Sequence, residues 1–501
     1  MGMTRAATTA YHLPRAAPCR VPVGIDADRA PAKGNAMSDA SVPVHAARAA
    51  RPRNGWLLIA AMAIFGALAI EQGVSLLSGH ADLKTRLLAW ATSDAFIYGD
   101  GSLSYMAAWY QKASVRMALH MGLGGVALGL GALQFVPSLR QRHPRWHRAS
   151  GLIVWLATGA SMSFALAFLV FVPAARGASG IAFQAGLWSL SGLTLILLAQ
   201  AVMAAFSRDF RSHMIWMALV YAALLTAPIL RVDWVLIAWL HPQVGHEWNN
   251  LGTGVVVLPQ TLMLMALWLD TVGDRSLPGR PAPVTVWPRW LMLGFCIVSA
   301  AGVVQEAFLG GTAADPFAGL RQPLDQLPHA RWLWGAATLS ALLFTPASWR
   351  AALAGGRPPR GLAVATGAAA AGALLMGLTS DQSSLGRFGS ASFWIGYAAL
   401  LAFVLAMASR RGANSVGRNA WLLILLTALW LPSQIDGLVL MCLRIPGGTF
   451  AEAYAGALAV GIGGVLTAGI ATGFGARWRW WVAGRGVSRS PLHAVDRAPA
   501  R

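Results

Sequence analysis

The stretch HMGLGGVALGLGALQFVPSLRQRHPRWHR, residues 120–148, decides how the rest of the chain is read. It opens on His120, stays uncharged through Val136 and closes in a basic turn holding Arg140, Arg142, His143, Arg145, His147 and Arg148. An apolar run of this kind, extended a few residues at its start, has the length of a membrane-spanning helix. A turn this rich in arginine is what the positive-inside rule leaves on a cytoplasmic loop.

Working outward, the same grammar repeats along the chain. Over 501 residues 56% are apolar and 12% charged, and the mean hydropathy is +0.54, which excludes an ordinary soluble globule. Twelve spans are expected, at about 55–78, 117–137, 150–172, 183–206, 214–238, 251–270, 288–308, 331–348, 361–378, 390–408, 420–442 and 453–475. The net charge of +20 sits in short arginine clusters between alternate spans. Such clusters write membrane orientation rather than a nucleic-acid surface, so the bilayer is the expected partner and nucleic acid is not. Both termini are therefore expected in the cytoplasm, and the arginine-rich, lysine-poor composition suggests a bacterial inner membrane. Residues 1–54 read as a disordered tail and 479–501 as a basic one, and Met37 is an alternative start. Cys19, Cys296 and Cys442 carry neither a disulfide nor a metal spacing.

The chain also looks like one six-helix unit written twice. Trp56 to Glu71 is similar to Trp290 to Glu306, and His120 to Arg140 to His329 to Arg350; Trp188, Trp216 and Pro228 to Asp233 recur as Trp394, Trp421 and Pro432 to Asp436. The expected fold is thus an all-α integral membrane protein, with twelve transmembrane helices in two parallel repeats, residues 55–272 and 273–478. Chance likeness among apolar helices is the alternative. The first unit has a longer non-cytoplasmic segment, residues 79–115, with Asp82, Lys84, Arg86, Tyr98, Asp100, Tyr105 and Tyr110, which reads as one or two interfacial helices.

Three groups of residues carry candidate chemistry. His147 and His213 begin two spans on the same side of the membrane, and two facing imidazoles can ligate haem iron, with His120 a further candidate ligand; haem b is the cofactor considered. The competing readings of HPRWHR are an interfacial anchor on lipid phosphates and a proton-transfer site. On the opposite face His80, His120, His241, His246 and Glu247, with Asn249 and Asn250, offer ligand types suited to zinc, although their spacing matches no metal motif and a solvated loop is the plainer reading. Glu71, Gln134, Arg231, Asp233, Glu306 and Asp436 are polar groups inside spans. At that depth a charge is costly and normally faces a bundle interior, although Arg231 and Asp233 are also placed to pair at the interface. Gly122 to Gly125 and Gly129 to Gly131 read as close helix packing rather than a nucleotide loop.

The histidine opening a helix, Gly131-Ala-Leu-Gln-Phe135, Leu139-Arg140, Arg142, His147-Arg148 and Gly151, followed by His213, Trp216-Met217, Tyr221 and Leu230-Arg231, resembles the bacterial predicted-membrane-protein family known as domain of unknown function 2306, over about residues 55–240. The resemblance implies an integral membrane protein and supplies no reaction. The family's arginine after the methionine pair is replaced here by Ala218 and Leu219. The histidine layout is also faintly similar to the ascorbate-dependent transmembrane cytochromes b, but span four holds no histidine and His120 lies on the opposite face. Three readings follow: a haem-binding redox protein; a small-molecule permease of six plus six helices, without the Gly-Asp-Arg-Gly-Arg loop of major facilitator proteins; or a non-catalytic protein binding lipid or a partner.

Overall fold

The computed structural model describes residues 55–80, 82–172, 180–271, 328–354, 359–379, 385–410, 415–429, 431–432 and 461–485. Glu306, Asp436, span 288–308, the tail 1–54 and the basic tail beyond residue 485 lie outside the described residues. What is described is helical. Eight helices are long and apolar enough to cross a membrane: Ile59–Ser78, Ser114–Gln134, Pro144–Phe171, Gln184–Phe206, Phe210–Leu240, His246–Asp270, Arg360–Thr379 and Ala391–Ser409. With every backbone polar group bonded inside the helix, such segments meet the demand that hydrocarbon makes on a chain. Leu343, Val364, Val74 and Val170 lie on the outer surface, where lipid would cover them.

In chain order the first half comprises α1 (Gly55–Ser78), α2 (Leu83–Ala91), α3 (Asp94–Tyr98), α4 (Ser102–Lys112), α5 (Ser114–Gln134), α6 (Pro137–Arg142), α7 (Pro144–Phe171), α8 (Gly180–Phe206), α9 (Phe210–Leu240) and α10 (His246–Thr271). There follow α11 (Pro328–Ala354), α12 (Arg360–Thr379), α13 (Leu385–Ser409), α14 (Ser415–Leu429), a π-helical turn (Gly461–Val465) and α15 (Leu466–Arg485). The short helices of the expected interfacial segment are fixed by their own side chains. Asp82 caps α2 by accepting from the Thr85 amide at 2.7 Å, and Ser93 caps α3 by accepting from Phe96 at 3.0 Å. Proline stands in the first turn of both α6 and α7, where its missing N–H costs nothing.

Packing runs α1 on α5, α5 on α7, α7 on α8, α8 on α9 and α9 on α10, with α5 also reaching α9; in the second half α11 packs on α12, α12 on α13, α13 on α14 and α14 on α15, with α11 also reaching α14. Of the α5 glycines, Gly125 and Gly131 make the close approaches expected of the run, whereas a Cβ on Gly122 would meet nothing. A Cβ on Gly125 would stand 2.4 Å from the Gly66 carbonyl oxygen of α1, and one on Gly66 2.6 Å from that of Gly125. Only bare backbones approach so closely.

One buried core continues from α5, α8, α9 and α10 into α11 to α15. Its crossing point is α10 against α13, where Val255, Val256, Phe393, Gly396 and Tyr397 enclose a cavity of about 20 Å³. At one end of this seam Asp270 of α10 accepts from the Trp421 indole at 3.1 Å and lies 3.9 Å from the Arg410 guanidinium. The described seam is thus apolar with one polar clasp, and its cavity has room for little more than a water molecule.

Candidate functional site

The first half has two polar ends. At the arginine-rich end, α6 and the first turn of α7 divide the basic cluster by direction. Trp146 is 71% exposed, and Arg142, His143, Arg145 and Arg148 are exposed with it. His147 is turned the other way: it is only half-exposed, and its Nδ1 is buried without a hydrogen-bond partner. His213, Arg140 and Arg148 lie close enough for their charges to act on it.

His213 is held more tightly. Asp209 caps α9 by accepting from the Ser212 amide at 3.2 Å and from its hydroxyl at 2.7 Å, which fixes the turn that carries the histidine. Its ring Nδ1 lies 2.8 Å from the Ala201 carbonyl oxygen of α8. A carbonyl only accepts, so Nδ1 carries the proton and the lone pair sits on Nε2. That is the tautomer in which imidazole ligates a metal, with a carbonyl as its orienting partner. Gln134, the last residue of α5, donates to Ser150 Oγ at 2.8 Å, and Ser150 donates in turn to the Trp146 carbonyl at 2.7 Å. Gln134 therefore braces the turn bearing His147, the helix-to-helix hydrogen bond expected of a polar group there.

His120 belongs to the other end. Its Nδ1 lies 3.0 Å from the Ser161 carbonyl oxygen, and the Ser161 hydroxyl donates to the His120 carbonyl at 2.8 Å. Ser161 is 14 residues along α7 from His147, or about 21 Å of helix. His120 is thus placed well away from the His147 and His213 neighbourhood.

The far end is organised by the segment between α1 and α5. Gly101, in the left-handed region at φ 70°, turns the chain so that the Asp100 carboxylate accepts from the Ser102 amide at 2.9 Å and the Glu247 amide at 2.7 Å. Asp100 thereby caps α10 from a distant part of the chain. Burial pushes its carboxyl up, but the two amide donors outweigh this and hold it below the usual carboxylate range. Beside it, the Ser102 hydroxyl lies 2.8 Å from His246 Nδ1. The His246 ring is 3% exposed and lies edge-on to Trp234, centroids 4.6 Å apart. Its Nε2 is buried with no partner among the described residues.

Arg231 stands over the ring of that tryptophan, 4.9 Å from its centre. Its Nη1 donates to the Ala227 carbonyl at 2.9 Å. Its charge acts on Lys84, Tyr110, His120 and His246, which come from four other elements. Burial, then the neighbouring Arg231, pushes the Lys84 ammonium down to about 7, and burial raises the Tyr110 phenol.

The remaining sequence candidates are accounted for locally. Glu71 accepts from the Ser75 hydroxyl at 2.7 Å and from the Leu83 amide at 3.1 Å, tying α2 to α1. Arg231 and Asp233 form no ion pair with each other; Asp233 accepts instead from Gln260 at 3.4 Å. His80 and His241 are exposed, and no three His, Cys, Asp or Glu side chains converge on a metal-sized space among the described residues. The convergence of Lys84, Tyr110 and His246 on Arg231 was beyond sequence reasoning. Its one signal was the unusual polarity of residues 79–115.

Residues 117–269 match the model of the family described as predicted membrane protein (DUF2306). The matched stretch carries His120, His147, His213, Arg231 and His246. It leaves out α1 to α4 and everything after α10. No match is found among curated proteins or among solved structures.

Proposed function

We propose that the unit spanning α5 to α10 is a membrane-embedded haem-binding redox module, with His147 and His213 as its ligands. One observation carries the reading: the Ala201 carbonyl fixes His213 as the Nδ1–H tautomer, with His147 alongside and its own Nδ1 unpartnered. The residues suit haem by donor type, since axial histidine pairs are common haem ligands, and bound haem would supply one-electron transfer. The protein's contribution is to aim His213 through α8 and to brace the His147 turn through Gln134 and Ser150.

Around that module the reading includes twelve spans in two parallel six-helix units, residues 55–272 and 273–478, with arginine loops and both termini in the cytoplasm of a bacterial inner membrane. The similar neighbour order in α5 to α10 and in α11 to α15 supports the duplication. The second unit then serves as scaffold. A permease reading needs a polar chamber between the halves; the cavity where α10 meets α13 is small and lined mainly by apolar side chains, apart from the Asp270 clasp at one end. A second reading does have support at the same turn: exposed Trp146, Arg142, Arg145 and Arg148 make a surface for anionic lipid headgroups, and it coexists with an inward-facing His147.

The test is the absorption spectrum of the detergent-purified protein from haem-replete cells. A Soret band lost in both His147→Ala and His213→Ala, but kept in His143→Ala, is the expected result. Colourless, monodisperse wild-type protein overturns the haem reading. Reporter fusions that place the His143 turn outside the cytoplasm overturn the orientation.

A further inference from the structure

The far end holds two cations that form no ion pair among the described residues, although the charges of Glu71 and Asp82 reach Lys84 from a distance. Arg231 lies nine residues inside the end of α9, about 14 Å from it. Long basic side chains at such depth normally reach outward to water. Arg231 instead bonds back along the helix to Ala227, away from the nearer end. Its other contact is a neutral ring, Trp234. Lys84, from α2, donates to the Gln72 side-chain oxygen, which is also neutral.

The carboxylates nearby are already employed. Glu71 takes the Ser75 hydroxyl and the Leu83 amide, Asp82 takes both donors of Thr85, and Asp100 takes the amides of Ser102 and Glu247. Among the described residues none of the three comes within ion-pair distance of Arg231 or Lys84, the one such pair being Arg410 with Asp270. A guanidinium and an ammonium whose charges act on each other in a membrane protein, each half-buried and hydrogen-bonded only to neutral groups, are costly unless something negative completes them. His246 adds a second observation: its ring is 3% exposed and its Nε2 is unpartnered.

We infer that the far end binds an oxyanion, a phosphate or carboxylate group, between Lys84 and Arg231, with the polar side chains of Tyr110, His120 and His246 around it. Arg231 presents a planar fork suited to two oxygens of one such group, and Lys84 adds a point charge from the interfacial segment. Trp234 holds the guanidinium plane through its ring face. The same chemistry would be met by a soluble anion arriving from the far side or by the headgroup of an anionic lipid in that leaflet. The site shares no residue with the proposed His147 and His213 ligand pair.

Full-length protein in an uncharged detergent is titrated with sodium phosphate against sodium chloride at equal ionic strength, reading binding heat and thermal unfolding. In parallel, protein taken from phosphatidylglycerol-containing nanodiscs is scored for retained lipid by native mass spectrometry. Saturable phosphate binding identifies a soluble oxyanion, and a retained phosphatidylglycerol identifies a headgroup; either supports the site. In Arg231→Gln binding should weaken by about tenfold or more, and in Lys84→Gln by severalfold. Arg360→Gln, on α12, should leave soluble phosphate binding unchanged. Wild-type protein that retains neither ligand overturns the inference, as do Arg231→Gln and Lys84→Gln variants that bind as wild type. Should Arg231→Gln fail to fold, the Lys84→Gln result decides.

Discussion

The two ends of the helices α1 to α10 handle positive charge in opposite ways. At the arginine-rich end the guanidinium groups of Arg142, Arg145 and Arg148 are exposed, and only imidazoles turn inward. At the far end there are fewer cations, but Arg231 and Lys84 are drawn in among Trp234, Tyr110, His120 and His246. The first arrangement orients a chain in a bilayer at little cost, because water and lipid phosphates solvate each charge. The second carries a desolvation cost that orientation does not require, which is the signature of a site. The difference depends on α5, since His120 lies in its second turn at one end and Gln134 closes the other.

The strongest way to break the contrast is therefore to displace α5 itself. In Gly125→Leu the new side chain must occupy space 2.4 Å from the Gly66 carbonyl oxygen, and backbone cannot yield as a flexible side chain can. A cost of about 3 kcal/mol or more is expected, with loss of monodisperse protein on size exclusion. Next in size is a comparison of one residue type at the two ends. His246→Ala removes a ring packed on Trp234 and Phe96 and bonded to Ser102, at a cost of about 2 kcal/mol. His143→Ala removes an exposed ring and should move the unfolding temperature little. Equal effects of the two substitutions would show that the ends are not built differently.

How much of this could be read in advance depends on whether local pattern or tertiary placement sets the feature. The spans follow from the length of apolar runs, and the α1 and α5 contact from glycines whose missing side chains matter in any helix pair. That His147 and His213 both stand in the first turns of their helices could be read from where the apolar runs begin. The pairing of Arg231 with Asp233 failed for a simple reason. Residues two apart on a helix point in nearly opposite directions, so Arg231 turned to Trp234 at i+3 and Ala227 at i−4. The remote cap of α10 by Asp100 was invisible because 147 residues separate donor and acceptor. Glu71 looked like an intramembrane charge, yet it serves as a clasp for α2, since sequence gives depth along a helix but not what docks against its end.

The third prediction concerns Lys84, faced by Glu71 from α1, by Asp82 at the start of α2 and by Arg231 from α9. Its folded pKa of about 7 lies below the ordinary lysine value of 10.5, so the unfolded chain binds the proton more strongly. Stability is accordingly penalised in full below about 7 and recovers as pH rises from there toward about 10.5. The thermal unfolding temperature of wild-type protein should climb over that window, and Lys84→Met should flatten the climb while raising stability at neutral pH. A wild-type profile that is level or falls across the window would mean that Lys84 is solvated, and the two ends would then treat cations alike.

The smallest expected effect lies at the arginine-rich end. Gln134→Ala removes one hydrogen bond to Ser150, whose hydroxyl still donates to the Trp146 carbonyl, so a loss of about 1 kcal/mol is expected. Its value lies in what accompanies it. If the Gln134 brace positions the His147 turn, the substitution should broaden or shift any Soret band while leaving phosphate binding at the far end as in wild type. A change at the far end instead would mean that α5 couples the two sites along its length, and the ends could no longer be treated as independent.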